Sequence, residues 1–317
     1  MHSDPFIAMQ AAVDVVNTSL HATNKVAATL FTKDFSISKT NFWPGVIEQA
    51  FGHDIDIGSS SGTVHAEVAC ILGAHGGSTD GASLCVTDPF CPNCAKNIAE
   101  AGIKTIYIDH KGFDKDFAAR RGDHFKNMSL QVCARAGIAI YQLNRREKTI
   151  TPIAEIADDY KPFNDAPVVV GAVASASRAD FLDVISDSRA NLAGEKFATA
   201  LAFDAHGKVF SLCAKPHLAV GYSRRIEAPE FQDLTGKYNF ILEPVNRLLM
   251  NAARLGLKIH AEYLYSSIVP TSRELVNVVG AGLNKLHLGD PSKARDPEAL
   301  NAIKQLSDAG ILTTLTV

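Results

Sequence analysis

His65-Ala66-Glu67 and Cys91-Pro92-Asn93-Cys94 set the tightest constraint on how this chain can fold. Histidine nitrogen and cysteine sulfur suit Zn2+, and a catalytic zinc takes three protein ligands and leaves a fourth position open. For His65, Cys91 and Cys94 to reach one ion, two places 26 positions apart in sequence must converge. That separation accommodates one helix, a return loop and one strand. Two cysteines three apart at a helix start can face the same ion, and a helix N-terminus favours their thiolate forms. Zinc lowers the pKa of a bound water from about 15.7 toward about 7, which makes hydroxide available at neutral pH. Glu67 is too close to His65 for both side chains to leave a helix in one direction. Beside such an ion it can accept the water proton and pass it on.

A C-x-x-C by itself is more often a structural zinc knot, which needs a fourth Cys or His in the same module. Cys70 and His75 are the nearest candidates, and Cys70 sits in the apolar run EVACILGA. Cys70, Cys85, Cys133 and Cys213 are each isolated in sequence, as buried, reduced thiols are.

The surrounding pattern is α/β. Residues 5–17 have apolar positions at helical spacing, and Lys25–Phe31 reads as a buried strand. A loop is expected from Ser36 to about Gly62, then a helix capped by Thr63 and carrying His65, Glu67, Ala69 and Leu72. Leu84–Thr87 reads as a strand, Cys91–Ala101 as a helix with Pro92 in its first turn, and Lys104–Ile108 as a strand. A helix near His124–Ala136 and a strand at Gly137–Leu143 follow. Strands joined by helices through short turns imply parallel neighbours on one sheet. Thr151–Pro167, charged and with three prolines, reads as a linker between a domain at 1–150 and another at 168–317.

The second half echoes the first. Lys196–Leu201 matches Lys25–Leu30 at an offset of 171, and Ala281-Gly282-Leu283 matches Ala101-Gly102-Ile103 at an offset of 180. Ala309-Gly310-Ile311 likewise echoes Ala136-Gly137-Ile138. At the offset of 180, Thr271 stands where Cys91 does and Glu274 where Cys94 does. A tandem duplication whose second copy has no zinc ligands is the expectation. His260-Ala261-Glu262 repeats the H-A-E letters, but 26 and 29 positions on stand Leu286 and Gly289, so the triplet reads as coincidence.

Of 317 residues, 46% are hydrophobic and 21% charged, with a net charge of −3. The absence of a basic excess argues against gripping a nucleic-acid backbone. No apolar run is long enough to span a bilayer, and the first residues lack the basic start and cleavage-like site of a secretory signal. A cytoplasmic protein with no membrane partner is the expectation.

Residues 1–145 resemble the cytidine and deoxycytidylate deaminase superfamily, whose H-x-E and C-x-x-C motifs they carry. The stretch Thr87–Ile108 most resembles the deoxycytidylate and tRNA-adenosine branch. The resemblance implies a three-layer α/β/α fold with a mixed central sheet, here duplicated. It implies His65, Cys91 and Cys94 as ligands of Zn2+ and Glu67 as the proton shuttle in hydrolytic deamination. It also implies that Asn41 hydrogen-bonds the sugar or base and that the Ala66 N–H faces the substrate. Phe42 and Trp43 could stack on a base, and Arg120 or Arg121 could meet a phosphate. One departure stands out: relatives carry proline directly before the first cysteine, and here Phe90 holds that place, at the pocket wall beside the base. The degenerate second half is similar to that of bacterial cytidine deaminases with a zinc-less half. The implied substrate is a free cytosine nucleoside or nucleotide. A purine deaminase acting on guanine, adenine or tRNA adenosine, and a non-catalytic zinc-stabilised scaffold, are the alternatives. A homodimer is the default assembly.

Overall fold

A computed structural model of the chain describes residues 4–110, 112–114, 122–228, 231 and 238–317. Arg120 and Arg121 lie outside the described residues. The chain divides into two compact units. The first holds a six-stranded sheet built from β1 (Ala27–Phe31), β2 (Ser36–Thr40), β5 (Ser83–Val86), β6 (Thr105–Asp109), β7 (Ala139–Asn144) and β8 (Thr149–Ala154). Its order is β2-β1-β5-β6-β7-β8. β5, β6 and β7 run parallel, and β1 is antiparallel to both β2 and β5.

Alternation along these strands gives the sheet two buried faces. Phe31, Cys85 and Leu143 pack with Ala8 and Met9 of α1 (Pro5–Val16) on one face. Leu30, Leu84, Ile106 and Ile140 share a register, point the other way and are fully buried. On that side α3 (Ala66–Gly73) packs on β1, β2 and β5, and α4 (Pro92–Glu100) packs on α3 and α5 (Asp123–Arg135). The result is the expected three-layer α/β/α arrangement on a mixed sheet.

The second unit repeats the order. Its sheet runs β16-β15-β14-β10-β11-β9, from β9 (Val169–Ala172), β10 (Ala198–Phe203), β11 (Val209–Ala214), β14 (Lys258–Val269), β15 (Lys285–Ala294) and β16 (Thr313–Thr316). β14, β15 and β16 are parallel, and β10 is antiparallel to both β11 and β14. β11-β10-β14-β15-β16 therefore has the order and directions of β2-β1-β5-β6-β7. The helices α6 (Arg178–Asn191), α7 (Pro244–Arg254), α8 (Ser272–Gly280) and α9 (Pro297–Asp308) fall where α1, α3, α4 and α5 do. The matched glycines agree too: Gly102 and Gly282 follow α4 and α8 with φ of 76° and 77°, and Gly137 and Gly310 follow α5 and α9, both at 69°.

Three expectations need correction. Residues 151–154, assigned to the linker, belong to β8, which pairs antiparallel with β7. The expected loop from Ser36 to Gly62 contains β2, α2 (Gly45–Phe51) and a small pair of strands, β3 (Asp56–Ile57) and β4 (Ser60–Ser61). And the units do not follow a single cut in the chain. The first comprises Met1–Phe42, His65–Asp165 and Leu218–Leu242, and the second Trp43–Val64, Ala166–His217 and Glu243–Val317. In each half, the stretch between the second strand and the following helix sits in the other unit. Residues 218–242 are flanked by two further short strands, β12 (His217–Leu218) and β13 (Ile241–Leu242). A glycine seats each exchanged stretch. Gly58 (φ 56°) would place a Cβ 2.4 Å from the Glu298 carbonyl oxygen in the second unit, and Gly221 (φ 93°) would place one 2.0 Å from the Arg135 carbonyl oxygen in the first. Neither site has room for a side chain. Among the described residues, no helix is long and apolar enough to cross a membrane.

Candidate active site

His65 is the residue directly before α3, and Cys91 the residue directly before α4, both with extended backbone (φ −71°, ψ 150° and φ −83°, ψ 164°). The helix expected to start after Thr63 therefore starts at Ala66, and His65 projects from its N-cap, not from its first turn. Pro92 occupies the first helical position of α4, where a missing N–H costs nothing. The Cys91 Sγ accepts the Cys94 N–H at 3.4 Å, a side-chain cap made by sulfur.

These two helix starts bring three ligand atoms together. His65 Nδ1 lies 3.2 Å from Cys94 Sγ and 3.7 Å from Cys91 Sγ. A tetrahedral zinc with ordinary Zn–S and Zn–N bonds spaces such atoms about 3.6 Å apart, so the donor set and its spacing fit that ion. No other His, Cys, Asp or Glu group among the described residues gathers in this way. Hydrogen bonding from Cys94, with help from the His65 charge, holds the Cys91 thiol well below its usual pKa against the opposing effect of burial. A site that favours thiolate is a site prepared for a cation. Cys70 is different: burial pushes its thiol up to about 12, and Sγ donates to the Ala28 carbonyl at 3.2 Å. It is a packed thiol, and neither it nor His75 joins the three-residue cluster.

Glu67 lies in the first turn of α3 and is 3% exposed. Burial raises its pKa; His65 opposes this and Cys91 adds to it. A carboxyl group that holds its proton more tightly than usual, beside a metal-ligand cluster, is suited to moving protons. Ala66 is fully buried at the first position of α3, where an N–H has no intrahelical acceptor.

The other expected pocket residues are largely engaged within the protein. Asn41 Oδ1 accepts from Ser19 Oγ at 2.8 Å and from the Val26 N–H at 2.9 Å, and Nδ2 donates to the Asn24 carbonyl at 3.0 Å. One amide hydrogen remains for another partner. Phe90 is 1% exposed, with its ring edge-on to Phe113 at 5.5 Å and its carbonyl accepting from Ser129 Oγ at 3.1 Å. Trp43 is buried in the second unit against His53, at a ring distance of 4.8 Å.

The second unit has a counterpart site. Glu243 directly precedes α7 (φ −79°, ψ 156°) and Thr271 directly precedes α8 (φ −59°, ψ 156°), so they hold the places of His65 and Cys91. Val245 holds the place of Glu67 and Glu274 that of Cys94. Glu274 Oε1 accepts from the N–H groups of Val245 (2.8 Å) and Asn246 (3.2 Å), while Oε2 accepts from the Thr271 N–H (2.8 Å) and hydroxyl (2.9 Å). One carboxyl group thus ties the starts of α7 and α8, with Glu243 paired to Arg295 at 3.1 Å alongside. Burial, reinforced by the Glu243 charge, raises its pKa to about 7. The sequence offset identified Thr271 and Glu274 but missed Glu243, because that junction is displaced by 178 positions and not 180. It also gave no reason to notice Lys96, a lysine only 4% exposed on α4.

His260 and Glu262 lie on β14, far along it from any helix start, and Glu262 pairs with Lys285. The H-A-E letters there make no metal cluster.

Residues 7–110 match the family model for the cytidine and deoxycytidylate deaminase zinc-binding region. Over 50 residues the chain is 48% identical to the deoxycytidylate deaminases of Enterobacteria phages T2 and T4, a stretch that is 15% of this chain. It spans about a quarter of the length of these curated relatives, 27% and 26%. Crystal structures of the dCMP deaminase of cyanophage S-TIM5, in apo form and in complex with dCMP and dUMP, align with TM-scores of 0.33 each, at 21% and 23% identity. They cover 44% and 45% of this chain and 96% and 100% of theirs. The ligand set and the acidic residue both fall inside the stretch, residues 7–110, that matches this family model.

Proposed function

We propose that the first unit is a zinc-dependent deaminase that hydrolyses the amino group of a cytosine nucleotide or nucleoside to a carbonyl and releases ammonia. The observation that carries this reading is Glu67, buried beside a His65–Cys91–Cys94 cluster of the right size for zinc. A purely structural metal site has no use for that carboxyl group. Zinc, when bound, supplies a water acidified toward neutral pH. His65, Cys91 and Cys94 hold the ion. Glu67 takes one proton of the attacking water and passes it to the ring nitrogen, then takes the second from the hydroxyl group so formed and passes it to the departing amine, leaving a carbonyl and ammonia. The Ala66 N–H, directed from the helix start, donates to the substrate, and the remaining Asn41 amide hydrogen meets the sugar or base. Phe90, fixed by Phe113 and Ser129, sets the wall beside the base. The similarity to phage deoxycytidylate deaminases favours a cytosine nucleotide over a purine.

The second unit is, in the same reading, a duplicated copy that has lost its ligands and its proton carrier. A cytoplasmic location and a homodimer belong to the proposal as well. The test is ammonia release by the zinc-loaded chain from cytosine, cytidine, dCMP, adenosine, guanine and a tRNA anticodon stem, each beside Glu67→Ala. Turnover of dCMP or cytidine that Glu67→Ala abolishes supports the reading. Turnover of a purine alone moves the substrate class, and silence across the panel with zinc still bound favours a scaffold.

A further inference from the structure

We propose that residues 238–242, an arm contributed by the second half of the chain to the first unit, position the metal-ligand helix α4 through Lys96. Lys96 is two residues beyond Cys94 and 4% exposed. Its Nζ donates to the carbonyls of Asn239 and Ile241, both at 2.7 Å. The Ile241 N–H bonds the Asn239 side-chain oxygen at 3.0 Å, a turn that presents both carbonyls to one ammonium. Tyr238 packs edge-on to Phe125 of α5 at 6.2 Å. Further along the same stretch Gly221 abuts the Arg135 carbonyl, and the Arg135 guanidinium lies 5.1 Å over the Tyr222 ring and pairs with Glu227 at 3.4 Å.

A buried ammonium is costly unless it is well bonded, and a methionine of similar length would fill the same space. The lysine answers to the two carbonyls, so it fixes where the arm lies against α4. By the same bonds the arm fixes the rotation and axial position of α4, whose N-cap is Cys91 and whose first turn carries Cys94. Lys96 is therefore a positioning residue, acting on the metal ligands through the helix. Its effect on rate rests on the deaminase reading; its effect on the helix does not.

The full-length chain with Lys96→Met and with Lys96→Arg tests this by three readouts. Amide hydrogen exchange at residues 239–242 and in the first turn of α4 should quicken at least tenfold in Lys96→Met. Zinc should pass to a chelator at least tenfold faster, and kcat for ammonia release should fall more than KM rises. Lys96→Arg, which keeps the donors, should recover part of each. Gly221→Ala, which unseats the same stretch from its other end, should reproduce the exchange pattern if Lys96→Met fails to fold. Faster exchange in the arm alone, with α4 and zinc release unchanged, overturns the proposal, as does an unchanged arm. A wild-type chain silent on every base would sink the proposed function, while exchange and chelator data would still decide the role of Lys96.

Discussion

The two units solve one structural problem with different chemistry. Each must hold the starts of two helices side by side, α3 with α4 and α7 with α8, with their free N–H groups and positive dipole ends converging. In the first unit the residues at that junction are His65, Cys91 and Cys94, spaced for a cation. In the second a single carboxyl group, Glu274, accepts from both helices and ties them directly. The backbone is nearly the same at both, with extended N-cap residues throughout. A metal link leaves a reactive position open, whereas Glu274 accepts four hydrogen bonds and leaves nothing to react.

The largest expected effects separate the two junctions outright. Cys94→Ser should reduce bound zinc from about one ion per chain toward none, while Thr271→Ala at the matching place of Cys91 should leave zinc unchanged; metal analysis of both variants checks this. Glu67→Gln should cut ammonia release by roughly 10²–10⁴-fold with zinc retained, the range for loss of a general acid-base group. Zinc lost along with activity would instead mean that Glu67 holds the ligands in place. The combined change Glu243→His, Thr271→Cys and Glu274→Cys should raise bound zinc to about two ions per chain, since the N-cap backbone already matches. A stoichiometry that stays at about one would show that the junctions differ in more than their side chains.

Smaller effects concern the carboxyl tie. With a folded pKa of about 7 against an ordinary value near 4.5, Glu274 binds its proton more tightly when folded. That stability is fully present below pH 4.5 and is lost as pH rises through about 7, at most about 3 kcal/mol between those limits. Melting temperature should therefore fall from pH 5 to pH 8, and Glu274→Gln should flatten the fall. The charged groups lining the same small cavity are Glu243, Arg295 and Lys196, and none of them is replaced in that comparison. Thr271→Ala, finally, removes one half of a capping box and should cost about 1 kcal/mol, measured by denaturant unfolding.

What could be read in the sequence depended on how local the cause was. Gly102, Gly137, Gly282 and Gly310 end helices because each adopts φ near 70°, a property of the residue itself, and they marked the repeat correctly. The convergence of His65, Cys91 and Cys94 was legible because zinc admits few donor types at few spacings. Lys96 was not, because a lysine in sequence reads as solvated surface and only the arrival of Asn239 and Ile241, more than 140 positions away, makes it a buried donor. β8 was hidden for a related reason: Thr149–Ala154 carries a proline, which an edge strand tolerates and a linker often contains. Phe90 was singled out in the sequence by the residue it replaces, whereas its contacts with Phe113 and Ser129 are set by the fold.

The exchanged stretches also set a timetable for biosynthesis. The first unit has most of its sequence once Asp165 is made, but is not complete until Leu242 has followed. At roughly 5–20 residues per second that interval is roughly 4–15 s. Throughout it the face of α4 bearing Lys96 waits uncovered, while residues 43–64, made early, wait for the second unit they join. Anything that slows the ribosome between Asp165 and Leu242 lengthens the exposure of both, so synonymous changes there should alter the yield of soluble protein without altering a single side chain.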